Sequence, residues 1–119
     1  MILAVVDDLM FTSKIKTTAS QLGVAVAFAR SSPAALERMR QETPTLVIFD
    51  LNSVRADALG TVAAMKADAA LAAIPTVGFV SHVQTDLVEA ARRAGVGDVL
   101  ARSAFTMRLP EILSAGARS

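Results

Sequence analysis

The sequence predicts an α/β domain in which helices cover both faces of a five-stranded parallel sheet. Short, largely apolar runs recur at five places along the 119 residues, and the first, residues 2–6, is continuously apolar, which is typical of a strand that is buried on both faces. Between them, apolar residues recur at helical spacing, and no linker or internal repeat interrupts the alternation. A regular alternation of strands and helices favours a doubly wound parallel sheet.

Glycine, proline and capping residues set the limits of the elements. Gly23 and Gly95 end the first and fourth helices, Ser32 caps the second helix with Pro33 in its first position, and Pro44 limits that helix. The predicted strands are residues 2–6, 24–29, 45–49, 76–80 and 98–101. The predicted helices are residues 10–22, 32 to before 44, 57–69, 85–94 and 106–115.

The last helix contains Pro110, which a helix tolerates only in its first turn. We therefore expect that helix to begin near residue 106. On the third helix, apolar spacing predicts an inner face formed by Leu59, Val62 and Ala63. The length of the chain predicts a single domain over residues 1–119, with residues 116–119 as a tail.

Composition excludes several classes of protein. The net charge of +1 argues against a nucleic-acid footprint based on bulk charge. With no cysteine, the chain has no disulfides or thiolate chemistry, and its one histidine leaves no material for a zinc site. No apolar run approaches the ~20 residues that a membrane helix needs, and no basic segment precedes the first apolar run, so we expect no signal peptide. A cytoplasmic protein is expected.

Three carboxylates follow two of the predicted strands. The first apolar run ends at Asp7 and Asp8, and the third ends at Asp50. In open α/β sheets, ligands bind beyond the carboxyl ends of the strands. Carboxylates gathered there repel one another unless a proton or a hard cation joins them. The sequence therefore predicts a divalent-metal site with a reactive aspartate.

The chain resembles the receiver domains of bacterial response regulators over essentially its whole length. The segments 5–8 and 49–52 match the acidic pair after the family's first strand and the phosphoacceptor segment after its third. Residues 98–102 resemble the fifth-strand segment that usually ends in lysine, and residues 90–97 resemble the Ala/Gly-rich stretch before it. The resemblance implies a flavodoxin-like (βα)5 fold with strand order 2-1-3-4-5.

The resemblance also implies roles for the acidic residues. Asp50 would accept a phosphoryl group from a histidine kinase or phosphotransfer protein. Asp8 would bind Mg²⁺ directly, Asp7 largely through water, and the backbone carbonyl of Asn52 would be a further ligand, with Asp50 completing the set. Mg²⁺ prefers oxygen ligands and neutralises charge on a transferring phosphoryl group. Read from the residues alone, Asp8 is equally suited to cap the first helix.

Several positions depart from the family pattern. A Thr or Ser usually ends strand four, where this chain has Val80 or, with one extra residue, Ser81; the hydroxyl of Ser81 favours the second alignment. Arg102 occupies the lysine position, and we expect it to replace the lysine, to pair with Asp50, or to point outward. Ser103 replaces the usual proline, and Val99 stands where the family has an aromatic switch residue. His82, the only histidine, is expected to lie in a surface loop.

The sequence thus predicts a two-component receiver domain that accepts a phosphoryl group at Asp50 with Mg²⁺, and no enzyme beyond self-catalysed phosphotransfer and dephosphorylation. Its expected partners are the kinase and a downstream effector protein, without direct contact to nucleic acid or membrane. A homodimer would use the face formed by helix 4, strand 5 and helix 5. The alternative is a phosphorylation-independent pseudo-receiver that acts as a protein-interaction module, favoured by Arg102, Ser103 and Val99. No glycine-rich dinucleotide motif or phosphate loop supports a competing function.

Overall fold

Five strands pair in one parallel sheet in the order β2-β1-β3-β4-β5. The structure, a computed structural model, describes residues 1–81 and 84–117. The strands are β1 (Ile2–Val5), β2 (Val26–Ala29), β3 (Leu46–Asp50), β4 (Thr76–Val80) and β5 (Asp98–Ala101). The helices are α1 (Leu9–Leu22), α2 (Ser32–Gln41), α3 (Ala58–Ala67), α4 (Thr85–Ala94) and α5 (Arg102–Ala117). The predicted α/β fold and strand order are confirmed.

Alternate residues of the central strands pack on opposite faces of the sheet. In β1, Leu3 and Val5 belong to a cluster with residues of α2, α3 and α4, whereas Ile2 and Ala4 belong to a cluster with residues of α1 and α5. Strands buried on both faces must be apolar throughout, which explains the continuous runs in the sequence. The two helical layers leave the carboxyl ends of the strands as the open edge.

Three elements, β4, α4 and β5, have their predicted limits, and β2 differs most among the strands. It begins at Val26 rather than at residue 24. Gly23 adopts a left-handed conformation (φ 68°) at the end of α1, and the N–H of Val24 donates to the carbonyl of Ala19. The N–H of Val24 therefore belongs to the C-terminal cap of α1 and is not available to the sheet, so β2 begins later than predicted.

The predicted cap of α2 is wrong by one residue. Ser31, not Ser32, is the N-cap, and its Oγ accepts the N–H of Ala34 at 3.4 Å. The hydroxyl of Ser32 instead accepts a hydrogen bond from Thr61 Oγ1 at 2.7 Å. Two adjacent serines are equivalent in a sequence, and a contact with α3, which no local pattern shows, distinguishes them.

The predicted inner face of α3 is also wrong in part. Val62 is fully buried, but Leu59 is half-buried and Ala63 is exposed. The buried residues of the helix are Ala58, Thr61, Val62 and Met65. Asp57 caps α3 and so starts the helix at Ala58, and the buried hydroxyl of Thr61 is satisfied by Ser32 and by the carbonyls of residues 56 and 57. Thr61, whose hydroxyl has hydrogen-bond partners, thus lies in the core, whereas the apolar spacing had placed Ala63 there.

The last helix begins four residues earlier than predicted, at Arg102 directly after β5. Pro110 therefore lies inside α5 rather than in its first turn, and the expectation drawn from it is wrong. The expected tail is wrong for its first two residues, because α5 continues to Ala117 and Gly116 is buried; residues 118 and 119 lie outside the described residues. Within the described ranges, no helix has the length and apolar character needed to cross a membrane.

Candidate functional site

The sheet brings the ends of β1 and β3 side by side. Val5 pairs with Phe49 in the parallel register, so the segments that follow, with Asp7 and Asp8 on one side and Asp50 on the other, leave the same edge of the sheet. The negative charges of Asp8 and Asp7 both raise the pKa of Asp50. The three predicted carboxylates therefore interact electrostatically at the open edge.

All three carboxylates are half-buried, and Asp50 is the one whose pKa is raised, first by burial. It is the last residue of β3, where it pairs with Phe79 of β4, and its Oδ1 accepts the N–H of Asn52 at 3.0 Å. Burial is the largest influence and raises the pKa of Asp50 above its ordinary value; the Asn52 N–H and the charge of Arg102 oppose this. The hydrogen bond from Asn52 therefore fixes the orientation of the Asp50 carboxylate.

Asp8 caps the first helix. Its Oδ1 accepts the N–H of Met10 at 2.9 Å and of Phe11 at 3.1 Å. The Phe11 N–H is the largest influence that lowers the pKa of Asp8, and the Met10 N–H and Arg102 lower it further against a partial desolvation. The capping interpretation thus describes one oxygen of Asp8, and the second oxygen serves another partner.

That partner is Arg102. Its Nη2 lies 3.4 Å from Asp8 Oδ2, and its guanidinium carbon lies 4.6 Å from the centre of the Phe11 ring. No hydrogen bond or ion pair joins Arg102 to Asp50 in the part of the chain that the structure describes. Arg102 therefore neither pairs with Asp50 nor turns away from the site, since it pairs with the helix-capping aspartate. That it replaces the lysine stays a prediction.

The Phe11 ring is fixed by two further rings beneath it. Its centroid is 4.6 Å from that of Phe79 and 5.6 Å from that of Phe105, and Phe79 and Phe105 stack at 4.7 Å. All three side chains are buried, Phe11 at 4% exposed. The sequence analysis did not connect Phe11 with the site, because only the fold shows which ring lies below Arg102.

A second arginine pairs with the remaining carboxylate. Arg55, in the loop after β3, places its Nη1 3.7 Å from Asp7 Oδ1. Both side chains are substantially exposed, at 65% and 32%, and exposed pairs of this kind contribute about 0–1 kcal/mol. The sequence analysis missed Arg55, since a lone cation in a loop carries no signal of its partner.

Asn52 joins two loops at the same edge. Its side-chain Oδ1 accepts the N–H of Ser81 at 2.7 Å, and its Nδ2 donates to Gln84 Oε1 at 2.5 Å. Ser81 is half-exposed and follows β4 directly, whereas Val80 is 3% exposed and packs in the core. Ser81 therefore lies beside the segment of Asp50 and Asn52. His82 lies outside the described residues.

The carboxylate oxygens have the donor chemistry that Mg²⁺ prefers. As arranged, no group of three acidic or histidine side chains within the described ranges is gathered closely enough to hold a metal ion. Arg102 and Arg55 now balance the charges of Asp8 and Asp7. The oxygen donors are of the type that suits a hard divalent cation, but a bound cation would have to draw the carboxylates closer together and take Asp8 from Arg102.

Neither a scan of protein-family models nor a search of curated proteins finds a match. Solved structures do match. A response regulator from Hahella chejuensis superposes with a TM-score of 0.86 at 21% identity, covering 97% of this chain and 92% of that chain.

Two further structures differ in what they contain. The phosphorylated cyanobacterial phytochrome response regulator RcpA has a TM-score of 0.79 at 24% identity, covering 96% of this chain and 88% of its own. The Mn²⁺-bound response regulator Rcp1 has a TM-score of 0.82 at 21% identity, covering 99% and 94%. At these identities the likeness establishes the fold, so this chain has the fold of response-regulator receiver domains.

Proposed function

We propose that this chain is a receiver domain of two-component signalling, which accepts a phosphoryl group at Asp50 from a histidine kinase or phosphotransfer protein. The observation that carries the proposal is the state of Asp50. It is half-buried at the end of a central strand, has a raised pKa caused first by burial, and lies in the field of two further carboxylates. A phosphorylated protein, RcpA, shares this fold.

The hydrogen bond of Asp50 suggests which oxygen reacts. The Asn52 N–H donates to Oδ1, and in the proposed transfer Oδ2 would form the new bond to phosphorus. The bond between phosphorus and the donor's nitrogen or oxygen breaks, and the leaving group keeps the electron pair and takes up a proton. Catalysis of such a transfer is mostly positioning and electrostatic stabilisation. The residues around Asp50 supply both.

Mg²⁺ is the cofactor that we propose for this site. Asp8, Asp50 and the backbone carbonyl of Asn52 would hold it, and Asp7 would contribute largely through water. When bound, the cation neutralises charge on the phosphoryl group. A protein of the same fold, Rcp1, has been solved with bound Mn²⁺, which supports a divalent site without identifying the ion used here.

Two residues beside Asp50 would complete the phosphoryl site. Ser81 follows β4 next to Asn52, and its hydroxyl would donate to a phosphoryl oxygen. Arg102 would exchange Asp8 for the phosphoryl group, since a guanidinium can pair with either anion. Against the larger effect of burial, its charge lowers the pKa of Asp50, which supports this role.

The proposed output surface lies beyond this edge, on α4, β5 and α5. A downstream effector, or a second copy of this chain in a homodimer, would bind there. We propose a cytoplasmic location, where histidine kinases present their phosphoryl groups.

Incubation with acetyl phosphate and Mg²⁺, followed by intact-protein mass spectrometry, tests the proposal. We expect a gain of one phosphoryl group in the wild type and in Asp98→Asn, a control at the opposite end of the sheet, but none in Asp50→Asn. A wild type that gains nothing contradicts phosphoryl acceptance, and a gain that persists in Asp50→Asn contradicts the residue.

A second candidate function is a pseudo-receiver that binds partners without phosphorylation. The specific observation in its favour is that Asp8 pairs with Arg102 and Asp7 pairs with Arg55. The guanidinium of Arg102 also lies over the Phe11 ring. Val99 is buried in the core and has no ring that could report a change at Asp50. A wild type that resists phosphorylation but still binds an effector through α4, β5 and α5 would select this function.

A further inference from the structure

The side chain of Asn52 is the polar link between the Asp50 site and the start of α4. Its own N–H donates to Asp50 Oδ1 at 3.0 Å, so the backbone of Asn52 is tied to the carboxylate. Its Oδ1 and Nδ2 then reach across to Ser81 and Gln84, which lie on either side of the connection between β4 and α4. One residue thus contacts both the candidate phosphoacceptor and the next loop.

The chemistry of these bonds requires an amide. The Ser81 backbone N–H can only donate, so the oxygen of Asn52 must face it, and the NH₂ group is thereby directed at Gln84 Oε1. A carboxylate would lack the donor, and an apolar side chain would lack both groups. The two bonds, at 2.7 and 2.5 Å, are short.

Gln84 makes this link consequential for α4. It occupies the N-cap position of that helix but forms no capping hydrogen bond with its side chain, and its side chain bonds Asn52 instead. Its carbonyl accepts the N–H of Val88 in the first turn. The beginning of α4 is therefore tethered to the loop after Asp50.

The rest of α4 is loosely packed. Ala91 is its single buried residue, and Leu87 and Val88 are only half-buried against the core. An element with few buried apolar contacts has a low free energy of local opening. Its position is therefore sensitive to the few contacts that hold its first turn.

We infer that Asn52 is a positioning residue that couples the Asp50 carboxylate to the first turn of α4. A change at the Asp50 carboxylate alters the bond to the Asn52 N–H, and the side chain of Asn52 moves with its backbone. Val99 stands where receiver domains usually have an aromatic switch residue, and valine has no ring that could rotate. The Asn52 link would take the place of that switch. The inference deepens the proposed function and rests on it for its biological use, but its test does not need phosphorylation.

A mutant cycle read by residue-resolved amide exchange tests the link in the full chain. Asp50→Asn removes the charge but keeps an oxygen that can accept from Asn52. We expect it to change the exchange rate of the Val88 amide by at least about two-fold. The loss of a typical hydrogen bond would change the rate roughly five-fold, and here the bond is weakened rather than lost. In the Asn52→Ala background this response should disappear, and the Ser81 amide should exchange about five-fold faster.

Variants of Gln84 separate positioning from a general loss of structure. Gln84→Ala removes the acceptor at the surface and should abolish the response at Val88. Gln84→Glu keeps an acceptor oxygen for Asn52 and should retain it. Gln41→Ala, which removes an exposed side chain that donates to Glu37 on α2, should also retain the Val88 response.

An unchanged Val88 response in Asn52→Ala or Gln84→Ala overturns the inference, as does the absence of any response in the wild-type background. The proposed function fails separately: if acetyl phosphate and Mg²⁺ add no phosphoryl group to the wild type, phosphoryl acceptance is wrong whatever the cycle shows. If the group is added and Val88 responds equally with and without Asn52, the function stands and the inference is wrong.

Discussion

The guanidinium of Arg102 lies against both a carboxylate and a ring, 3.4 Å from Asp8 Oδ2 and 4.6 Å from the centre of Phe11. An exposed ion pair contributes about 0–1 kcal/mol, and a cation–π contact at an exposed site about 0.5–1 kcal/mol. Both free energies are small. Arg102 is therefore an internal cation that holds Asp8, the candidate metal ligand, by weak contacts.

Arg102→Ala is expected to strengthen Mg²⁺ binding. The substitution frees Asp8 Oδ2 and removes a positive charge, so the dissociation constant should fall about two- to five-fold, the factor that corresponds to an exposed ion pair. Isothermal titration of each variant with MgCl₂ measures it. Arg92→Ala, an exposed arginine in the last turn of α4, is the matched control; equal affinities in the two variants would show that Arg102 does not compete.

Substitutions of Asp8 are expected to separate its cap from its ion pair. Asp8→Ala loses the bonds to the N–H groups of Met10 and Phe11 and should destabilise the protein by about 1 kcal/mol. Asp8→Asn keeps a good capping oxygen and should lose less, because only the exposed pair with Arg102 is removed. Urea unfolding at pH 7 measures both, and equal losses would contradict the cap.

The lowered pKa of Asp8 determines how the stability difference between the wild type and Asp8→Asn depends on pH. A carboxyl group whose pKa is lower in the folded state stabilises the fold above its unfolded value of about 3.9. The advantage of the wild type over Asp8→Asn should therefore be constant near neutrality and vanish as the pH falls through the lowered pKa. An advantage that persists at still lower pH would show that the charge of Asp8 does not cause it.

Asp50 is expected to behave in the opposite sense. Its pKa is raised, first by burial and then by Asp8 and Asp7, so ionising it costs stability above the unfolded value of about 3.9. Asp50→Asn should be more stable than the wild type at pH 7, and the difference should shrink as the pH falls through the raised pKa. Unfolding titrations at several pH values, with Asp98→Asn as the control, measure this, and a destabilised Asp50→Asn at pH 7 would be inconsistent with the raised pKa.

Pro110 is expected to weaken α5. It lies inside a 16-residue helix, where it donates no N–H to the preceding turn. Pro110→Ala should stabilise the protein by up to about 3 kcal/mol, measured by urea unfolding, whereas Glu111→Ala at the next exposed position should change little. A loss of stability in Pro110→Ala would mean that the proline is required where it stands.

The parts of this fold that local signals specify were predictable. Short, largely apolar segments placed β4 and β5, and Gly95 placed the end of α4. Local rules failed at α5, because packing of the helix around Phe105 overrides the preference of Pro110 for a first turn. Tertiary contacts also decided the choice between Ser31 and Ser32.

For the site, sequence reasoning identified the carboxylates but not what surrounds them. The adjacency of β1 and β3 follows from the fold, so Asp7, Asp8 and Asp50 could be assigned to one edge. The side-chain directions of Arg102 and Asn52 could not, since their partners are 94 and 29 to 32 residues away in the chain. A backbone role had been predicted for Asn52, and its side chain was overlooked.

The most direct test of the account is to locate a phosphoryl group on the chain. After treatment with acetyl phosphate and Mg²⁺, reduction with borohydride converts an aspartyl phosphate to homoserine, and peptide mass spectrometry locates the change. The account predicts homoserine at position 50 and at no other aspartate. An unmodified Asp50, or modification at Asp7 or Asp8 instead, would contradict it.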